Sequence, residues 1–217
     1  MTAPLQLFGR RLMEFNQLPS QTLHPSRREA FARSANLAVL EANPKARAAL
    51  HRHWSRQILQ GLGVASEPVF DTGRRELVVA LLPPDALENL ARQTGAVLCG
   101  PRLRRTIVGA EVRTLRAALG DDIVAFVRQA ESLHPGLEGT RNWTLEEALS
   151  AVEELGQRTL LAAVTDAGPA VARRFELKLP TVAAGSAPLA AGAALELECR
   201  IIEKMDPTWL SSFPKDR

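Results

Sequence analysis

Five arginines form the densest group of chemically capable side chains in the sequence: Arg102, Arg104, Arg105, Arg113 and Arg116. A guanidinium group is planar and stays charged, and its N–H groups match the two oxygens of a carboxylate or the oxygens of a phosphate. On a helix, a spacing of three residues places Arg113 and Arg116 on one face, and Arg102 and Arg105 on another. All four would align only if one helix ran unbroken through Gly109.

An arginine face of this kind has three interpretations. It can remain solvated without binding anything, it can dock on an acidic protein surface, or it can bind the phosphates of nucleic acid. Nucleic-acid binding is the weakest of these interpretations, because no aromatic residues interleave with the arginines and no nucleic-acid-binding motif is recognisable. We therefore predict that the five arginines bind protein, with a small nucleic-acid-binding or regulatory helical protein as the alternative.

The other reactive side chains form no arrangement typical of an enzyme or a metal site. His51 and His53 are two residues apart and so point away from each other on a helix, whereas a zinc-binding helix places its histidines four apart. His24 and His134 each precede a proline, as polar turn residues do. Neighbouring carboxylates such as Glu146 and Glu147 diverge by about 100° on a helix. We predict no catalytic residue, no metal and no cofactor. An enzyme with an irregular site is a third hypothesis.

The elements that position the arginines are predicted to be short helices. Apolar residues recur every three or four positions between Asp85 and Ala130, the spacing of half-buried helices. Leu103 and Ile107 belong to this apolar set. Gly100 before Pro101, then Gly109, then Gly120 before Asp121 divide the stretch into three or four helices over one core.

Helix starts are predicted at three further places. Ser26 and Glu29 fit a capping box that opens a helix to about Ala42, and Thr144 and Glu147 fit a second one. Asn43–Pro44, with the proline at the first helical position, predicts the third. Gly168–Pro169 restarts the chain after the helix that Thr144 opens. Residues 1–25 form an N-terminal segment whose apolar stripe also has helical spacing.

Two segments have a different character. Phe175, Leu177 and Leu179 alternate with charged residues, which predicts a small β element near residues 175–179. Residues 182–192 are rich in alanine, glycine, serine and proline, which predicts a flexible connector. Glu76 to Leu82 is ambiguous between helix and strand. The fold class is therefore mainly α, a single compact helical domain over residues 1–217 with a tail at residues 206–217.

The totals fit a soluble protein without a large charge imbalance. The 217 residues carry a net charge of +3, too small to demand a polyanionic partner. No apolar run approaches the length of about 18 residues that a membrane helix needs. We expect a cytoplasmic protein that reaches a membrane only through partners, with Cys99 and Cys199 reduced and mostly buried.

Four short runs give the sequence a family likeness. They are Leu18–Pro19 followed by Leu23–His24–Pro25–Ser26, the run from Gly95 to Gly100 with Arg104–Arg105 after it, Leu177–Lys178–Leu179–Pro180, and Ile201 to Met205 before Pro207. In these runs the sequence resembles the SctK family, the YscK-type accessory proteins of bacterial type III secretion systems. Residues 29–73 carry no part of this resemblance.

The resemblance implies a non-enzymatic part of the sorting platform beneath the injectisome. In that family the protein joins the cytoplasmic domain of the inner-membrane ring protein, SctD, to the pod protein, SctQ. The resemblance thus implies a cytoplasmic adaptor, peripheral to the inner membrane through its partners, that supports protein secretion. Such an adaptor needs two docking surfaces rather than a pocket.

Overall fold

The computed structural model describes residues 3–28, 42–137, 142–181 and 185–213. The secondary structure of these residues consists of helices joined by turns and loops, without a strand. In chain order the helices are α1 (Ala3–Gln17), α2 (Pro25–Arg28), α3 (Pro44–Leu62), α4 (Leu77–Ala80), α5 (Pro84–Leu98), α6 (Gly100–Leu103), α7 (Gly109–Leu119), α8 (Asp121–Gln129), α9 (Leu145–Ala163), α10 (Pro169–Glu176), α11 (Ala191–Met205) and α12 (Pro207–Leu210). Short 3₁₀ turns occupy Pro19–Gln21, Gly63–Ser66, Glu131–Leu133 and Thr165–Ala167. The predicted mainly α fold is confirmed.

The chain divides into two compact units that alternate along the sequence. Unit 1 comprises Met1–Pro84, Val164–Thr181 and Thr208–Arg217, and unit 2 comprises Asp85–Ala163 and Val182–Pro207. Each unit therefore combines segments that are separated in the sequence. The single domain remains a prediction.

Several predicted helix starts are confirmed by their capping bonds. The Asn43 side chain accepts hydrogen bonds from the N–H groups of Lys45 and Ala46, at 3.0 and 3.3 Å. In the capping box before α9, the Thr144 N–H donates to the Glu147 carboxylate at 2.7 Å, and the Glu147 N–H donates to the Thr144 hydroxyl at 3.2 Å. These bonds satisfy N–H groups that lack an intrahelical partner.

The predicted strand near residues 175–179 is wrong. Helix α10 extends through Glu176, and the next residues form a turn in which the Lys178 N–H donates to the Phe175 carbonyl at 2.9 Å. Lys178 is buried while Leu177 is only half-buried, so the alternation of residue types does not correspond to an alternation of faces. The ambiguous segment from Glu76 to Leu82 contains α4, which is buried along its whole length.

Two other boundaries differ from the prediction. Helix α2 begins at Pro25, one residue before the predicted cap Ser26, and His24 Nδ1 accepts a hydrogen bond from the Ser26 N–H at 3.2 Å. The predicted continuation to Ala42 lies mostly in residues 29–41, outside the described residues. Within the predicted connector, residues 182–184 also lie outside them, and the last two residues, 191–192, already belong to α11.

The two cysteines differ in burial. Cys99 is completely buried, as predicted, and burial raises the pKa of its thiol to about 12. Cys199 is half-buried, because it lies beside the buried face of α11 rather than on it. Neither cysteine forms a disulfide.

Unit 1 buries two cationic side chains against backbone carbonyl groups. The Arg174 guanidinium donates to the carbonyls of Ala65 and Ser66, at 2.8 and 2.6 Å. Lys178 Nζ donates to the carbonyls of Ala80 and Leu82, both at 2.6 Å. Carbonyl groups at the end of a helix or turn lack intrahelical donors, so these cations supply the missing hydrogen bonds.

Unit 2 is organised around the crossing of α5 and α9. A Cβ atom added at Gly95 would overlap the carbonyl of Val152, and one added at Gly156 would overlap the carbonyl of Ala91. The two helix backbones therefore touch, which only glycine allows at these positions. Glu198 of α11 is fully buried and accepts a hydrogen bond from the Thr94 hydroxyl of α5 at 2.7 Å.

Candidate docking surface

The structure separates the five predicted arginines into two groups. The side chains of Arg102 and Arg104 are only 15% and 18% exposed. Arg105, Arg113 and Arg116 are exposed to solvent. The helix does not run through Gly109, because residues 104–108 interrupt it between α6 and α7. The five arginines therefore do not form one row.

Arg102 braces this interruption. Its Nη1 donates to the Thr106 hydroxyl at 3.0 Å, and its Nη2 lies 3.6 Å from the carboxylate of Glu111 in the first turn of α7. Thr106 itself is buried, so the bond with Arg102 satisfies a hydroxyl that water does not reach. Arg102 is therefore largely buried while Arg105 is exposed, because the break in the helix brings Thr106 and Glu111 within reach of the Arg102 guanidinium.

The braced loop turns two large apolar side chains outward. Ile107 is 85% exposed and Val108 is 59% exposed. The prediction that Ile107 belongs to a buried helical face is wrong, since residues 104–108 are not helical. Arg113 lies beside this loop, with its Nη1 3.9 Å from the position that a Cβ of Gly109 would take. We call Arg105, Ile107, Val108 and Arg113 the 105–113 surface.

Arg116 lies one turn further along α7. Its Nε is 3.2 Å from the Asp121 carboxylate, and both side chains are more than half exposed. An exposed pair of this kind contributes about 1 kcal/mol or less to stability. The guanidinium can therefore exchange Asp121 for another carboxylate at little cost.

Arg104 lines a neighbouring cleft. The cleft has a volume of about 600 Å³ and is lined by Pro101, Arg104, Arg105, Glu131, His134, Gly136 and Leu137. Arg104 Nε lies 3.9 Å from the Glu131 carboxylate, which is 78% exposed. This long contact to a solvated carboxylate holds Arg104 only weakly.

His134 completes the cleft as a neutral group. Burial lowers the pKa of His134, and the charge of Arg104 lowers it further, while a hydrogen bond with the Leu98 carbonyl opposes the shift. His134 Nδ1 accepts a hydrogen bond from the Gly136 N–H at 3.1 Å, which fits the uncharged ring with the proton on Nε2. The cleft therefore takes its positive charge from the arginines alone.

This arrangement suits binding to a protein surface. Interfaces are commonly built from an apolar centre that is buried on contact and a rim of polar or charged groups, with arginine enriched. Ile107 and Val108 supply the apolar centre, and Arg105 and Arg113 supply the charged rim. In the part of the chain that is described, no group of three His, Cys, Asp or Glu side chains could hold a metal ion. There, too, no helix is long and apolar enough to cross a membrane.

Sequence reasoning missed four members of this region: Ile107, Val108, Glu131 and His134. The four-residue spacing between Leu103 and Ile107 predicts that Ile107 lies on a buried helix face, and no pattern singles out Val108. The signal against that assignment was Gly109, which marks the break, together with the β-branched residues before it. Nothing local to the sequence indicated that Glu131 and His134 meet Arg104.

Comparison with known proteins gives one result for the whole chain. The model of the family described as YOP proteins translocation protein K (YscK) matches residues 13–204. No curated protein and no solved structure shows a significant match. Because the family match spans most of the sequence, this chain belongs to the YscK family of type III secretion components.

Proposed function

We propose that this chain is a non-enzymatic cytoplasmic adaptor of a bacterial type III secretion system. It links the cytoplasmic domain of the inner-membrane ring protein, SctD, to the pod protein of the sorting platform, SctQ, and so supports secretion. The family match supports a role in type III secretion. The two partners come from the resemblance of the sequence to SctK proteins.

The observation that carries the proposal is the 105–113 surface. Exposed apolar side chains occur on many proteins, but Ile107 and Val108 lie on a loop whose conformation Arg102 fixes through Thr106 and Glu111. A fixed loop loses little conformational freedom on binding, so more of the contact energy is available for affinity.

The charge of this surface indicates what it binds. Arg105 and Arg113 flank the apolar pair, and Arg116 follows one turn along α7. A partner with carboxylates around a shallow apolar patch would be complementary to it. Bidentate arginine–carboxylate bonds would then fix the orientation of the two proteins.

A binding experiment with a matched control tests the proposal. Arg113→Glu combined with Arg116→Glu reverses two charges on α7, and Arg52→Glu combined with Arg56→Glu makes the same change on exposed positions of α3. Affinities for the purified SctD cytoplasmic domain and for SctQ are measured by calorimetry, and secretion is measured in cells. We expect the α7 variant to lose at least roughly tenfold in affinity for one partner and to lose secretion. The α3 variant should keep both.

Three results would contradict the proposal. Wild-type protein that binds neither partner would exclude the adaptor role. Secretion lost only in proportion to a lower melting temperature, with normal binding by the folded protein, would show that these arginines act only in the fold. Steep salt-dependent retention on DNA, abolished in the α7 variant, would favour the nucleic-acid alternative instead.

A further inference from the structure

Phe70 is the most exposed aromatic side chain among the described residues. It is 81% exposed, in a loop between the 3₁₀ turn Gly63–Ser66 and helix α4 of unit 1. The other phenylalanines in the described part are buried or half-buried: Phe8, Phe15, Phe126, Phe175 and Phe213. Since only 5% of the sequence is aromatic, an exposed phenylalanine requires an explanation.

Asn16 of α1 holds the residue before Phe70 by both of its backbone groups. The Asn16 side-chain amide donates to the Val69 carbonyl at 3.0 Å, and its oxygen accepts from the Val69 N–H at 2.8 Å. The Val69 side chain is buried. This side of the loop is therefore anchored, and the next side chain, Phe70, is directed to solvent.

The other side of the loop is anchored as well. Asp71 accepts a hydrogen bond from the Gly73 N–H at 3.2 Å and lies 3.0 Å from Nε of Arg74. Arg74 Nη1 in turn donates to the Ala167 carbonyl at 2.7 Å. Phe70 thus follows a residue that two hydrogen bonds hold in place and precedes one that pairs with Arg74, so the loop disfavours folding the ring inward.

We propose that the Phe70 loop, residues 67–73, is a second docking surface, in which Phe70 inserts into an apolar pocket of a protein partner. Burying a phenylalanine is among the larger contributions that one side chain makes to an interface. The loop is already fixed, so binding does not have to order it. This surface lies in unit 1 and shares no residue with the 105–113 surface of unit 2.

The charges around Phe70 specify the partner further. Glu67 and Asp71 are exposed on either side of Phe70 along the chain, and because Asp71 already pairs with Arg74, Glu67 is the carboxylate that remains for a partner. A pocket with a lysine or arginine at its rim would be complementary to Glu67. An anionic membrane surface is disfavoured, because it repels carboxylates that would lie in its headgroup region. A second copy of this chain is disfavoured too, because insertion into a different surface of the copy repeats head to tail and gives a ring or a filament rather than the two-fold dimer that is commonest among oligomers.

The test rests on the proposed function, since its probes are the two partners named there. Phe70→Ala is compared with Val64→Ala, whose side chain is 86% exposed but lies outside the anchored loop. Because both positions are exposed, neither variant should change the midpoint of urea unfolding. We expect Phe70→Ala to weaken binding to one partner, the SctD cytoplasmic domain or SctQ, by at least roughly thirtyfold. Val64→Ala should bind as wild type does.

A second variant tests the anchoring. Asn16→Ala keeps Phe70 but removes both hydrogen bonds to Val69, so the loop must be ordered on binding. We expect an affinity loss of roughly threefold to tenfold for the same partner. Faster amide exchange at Val69 in the free variant would show that the loop has been released.

Several results would overturn the inference. If wild-type protein binds a partner and Phe70→Ala binds it equally well, the Phe70 loop is not a docking surface, although the adaptor role survives. If wild-type protein binds neither partner, both proposals fail. Loss in Phe70→Ala of binding to phosphatidylglycerol vesicles, or of concentration-dependent self-association, would assign the loop to a membrane or to a second copy.

Discussion

Unit 1 places two cationic side chains in its interior, whereas unit 2 places a carboxyl group there. Arg174 and Lys178 of unit 1 are 1% and 4% exposed, and Glu198 of unit 2 is completely buried. The cations have several hydrogen-bond acceptors each. Glu198 Oε2 accepts a hydrogen bond from the Thr94 hydroxyl, and its Oε1 has no hydrogen-bond partner among the described residues.

The backbone around each group explains the difference. Lys178 meets carbonyls at the end of α4, and Arg174 meets carbonyls of a 3₁₀ turn, where acceptors are left over. Glu198 meets the middle of α5, where the helix uses its own N–H groups and only a side-chain hydroxyl is available. A buried cation can thus complete a helix end, whereas a buried carboxyl group beside a helix middle is stabilised mainly by taking up a proton.

The largest expected effect is the loss of Arg174. In Arg174→Ala the carbonyls of Ala65 and Ser66 lose their donors and a cavity forms, so we expect the free energy of unfolding to fall by about 3–5 kcal/mol. Urea unfolding followed by circular dichroism measures it. Arg173→Ala is the control, because Arg173 is exposed and pairs with Glu176 on the surface, at 3.0 Å. We expect that variant to lose about 0.5 kcal/mol or less.

A small effect of Arg174→Ala, equal to that of Arg173→Ala, would contradict the view that unit 1 depends on its buried cations. The carbonyl groups of Ala65 and Ser66 would then have to find water or other donors. Faster amide exchange at Ala65 and Ser66 would identify such local opening.

The second largest effect concerns the contact between the backbones of α5 and α9 in unit 2. In Gly156→Ala the new methyl group overlaps the Ala91 carbonyl, so α5 and α9 must separate, and we expect a loss of about 1–3 kcal/mol in the free energy of unfolding. Gly192→Ala, in the first turn of α11 with no atom near the added Cβ, is the control. It should stabilise the protein by up to about 1 kcal/mol through helix propensity. Similar results for both would mean that the crossing tolerates a methyl group.

The features that the sequence predicts well are those formed by neighbouring residues. Asn43 caps α3, and Thr144 with Glu147 caps α9, through bonds that span two or three residues. Such bonds depend on residue type and local spacing alone. Gly120 has a φ of 85°, which again reflects a local requirement that the glycine itself reveals.

The features that the sequence predicts poorly depend on distant partners. Lys178 is buried because it donates to the carbonyls of Ala80 and Leu82, about a hundred residues away along the chain. The sequence around Lys178 does not show these acceptors, so its alternation with apolar residues predicts a strand instead. Arg102 was expected on the surface, but Thr106 and Glu111 reach it once the helix breaks. The same break exposes Ile107. The sequence thus shows that this region is rich in arginine, but it does not show which of the arginines are buried and which are exposed.

The smallest expected effects, measured per pH unit, are opposite pH dependences of stability in the two units. Burial lowers the pKa of Lys178 from 10.5 to about 7; the charge of Arg11 adds to this shift and Glu14 opposes it. Burial raises the pKa of Glu198 from 4.5 to about 8, against a smaller lowering by the Thr94 hydrogen bond. Folding therefore shifts each group toward its uncharged form, Lys178 above about pH 7 and Glu198 below about pH 8.

The signs follow from proton binding in the folded and unfolded states. Between pH 7 and 10.5 the unfolded chain holds a proton on Lys178 and the folded protein does not, so Lys178 makes stability rise with pH. Between pH 4.5 and 8 the folded protein holds a proton on Glu198 and the unfolded chain does not, so Glu198 makes stability fall with pH. Neither slope can exceed about 1.4 kcal/mol per pH unit, the limit for one proton.

Two variants isolate these slopes. The free energy of unfolding of wild-type protein minus that of Lys178→Met should be flat below pH 7 and rise above it, because methionine does not titrate. The same difference taken with Glu198→Gln should fall from about pH 5 to pH 8 and then level off, because glutamine keeps the shape without the charge. Using differences removes the contribution of every other titrating group. Slopes of the same sign would refute the opposite use of buried charge in the two units. A flat difference for Glu198→Gln would mean instead that water reaches the carboxyl group and keeps its pKa ordinary.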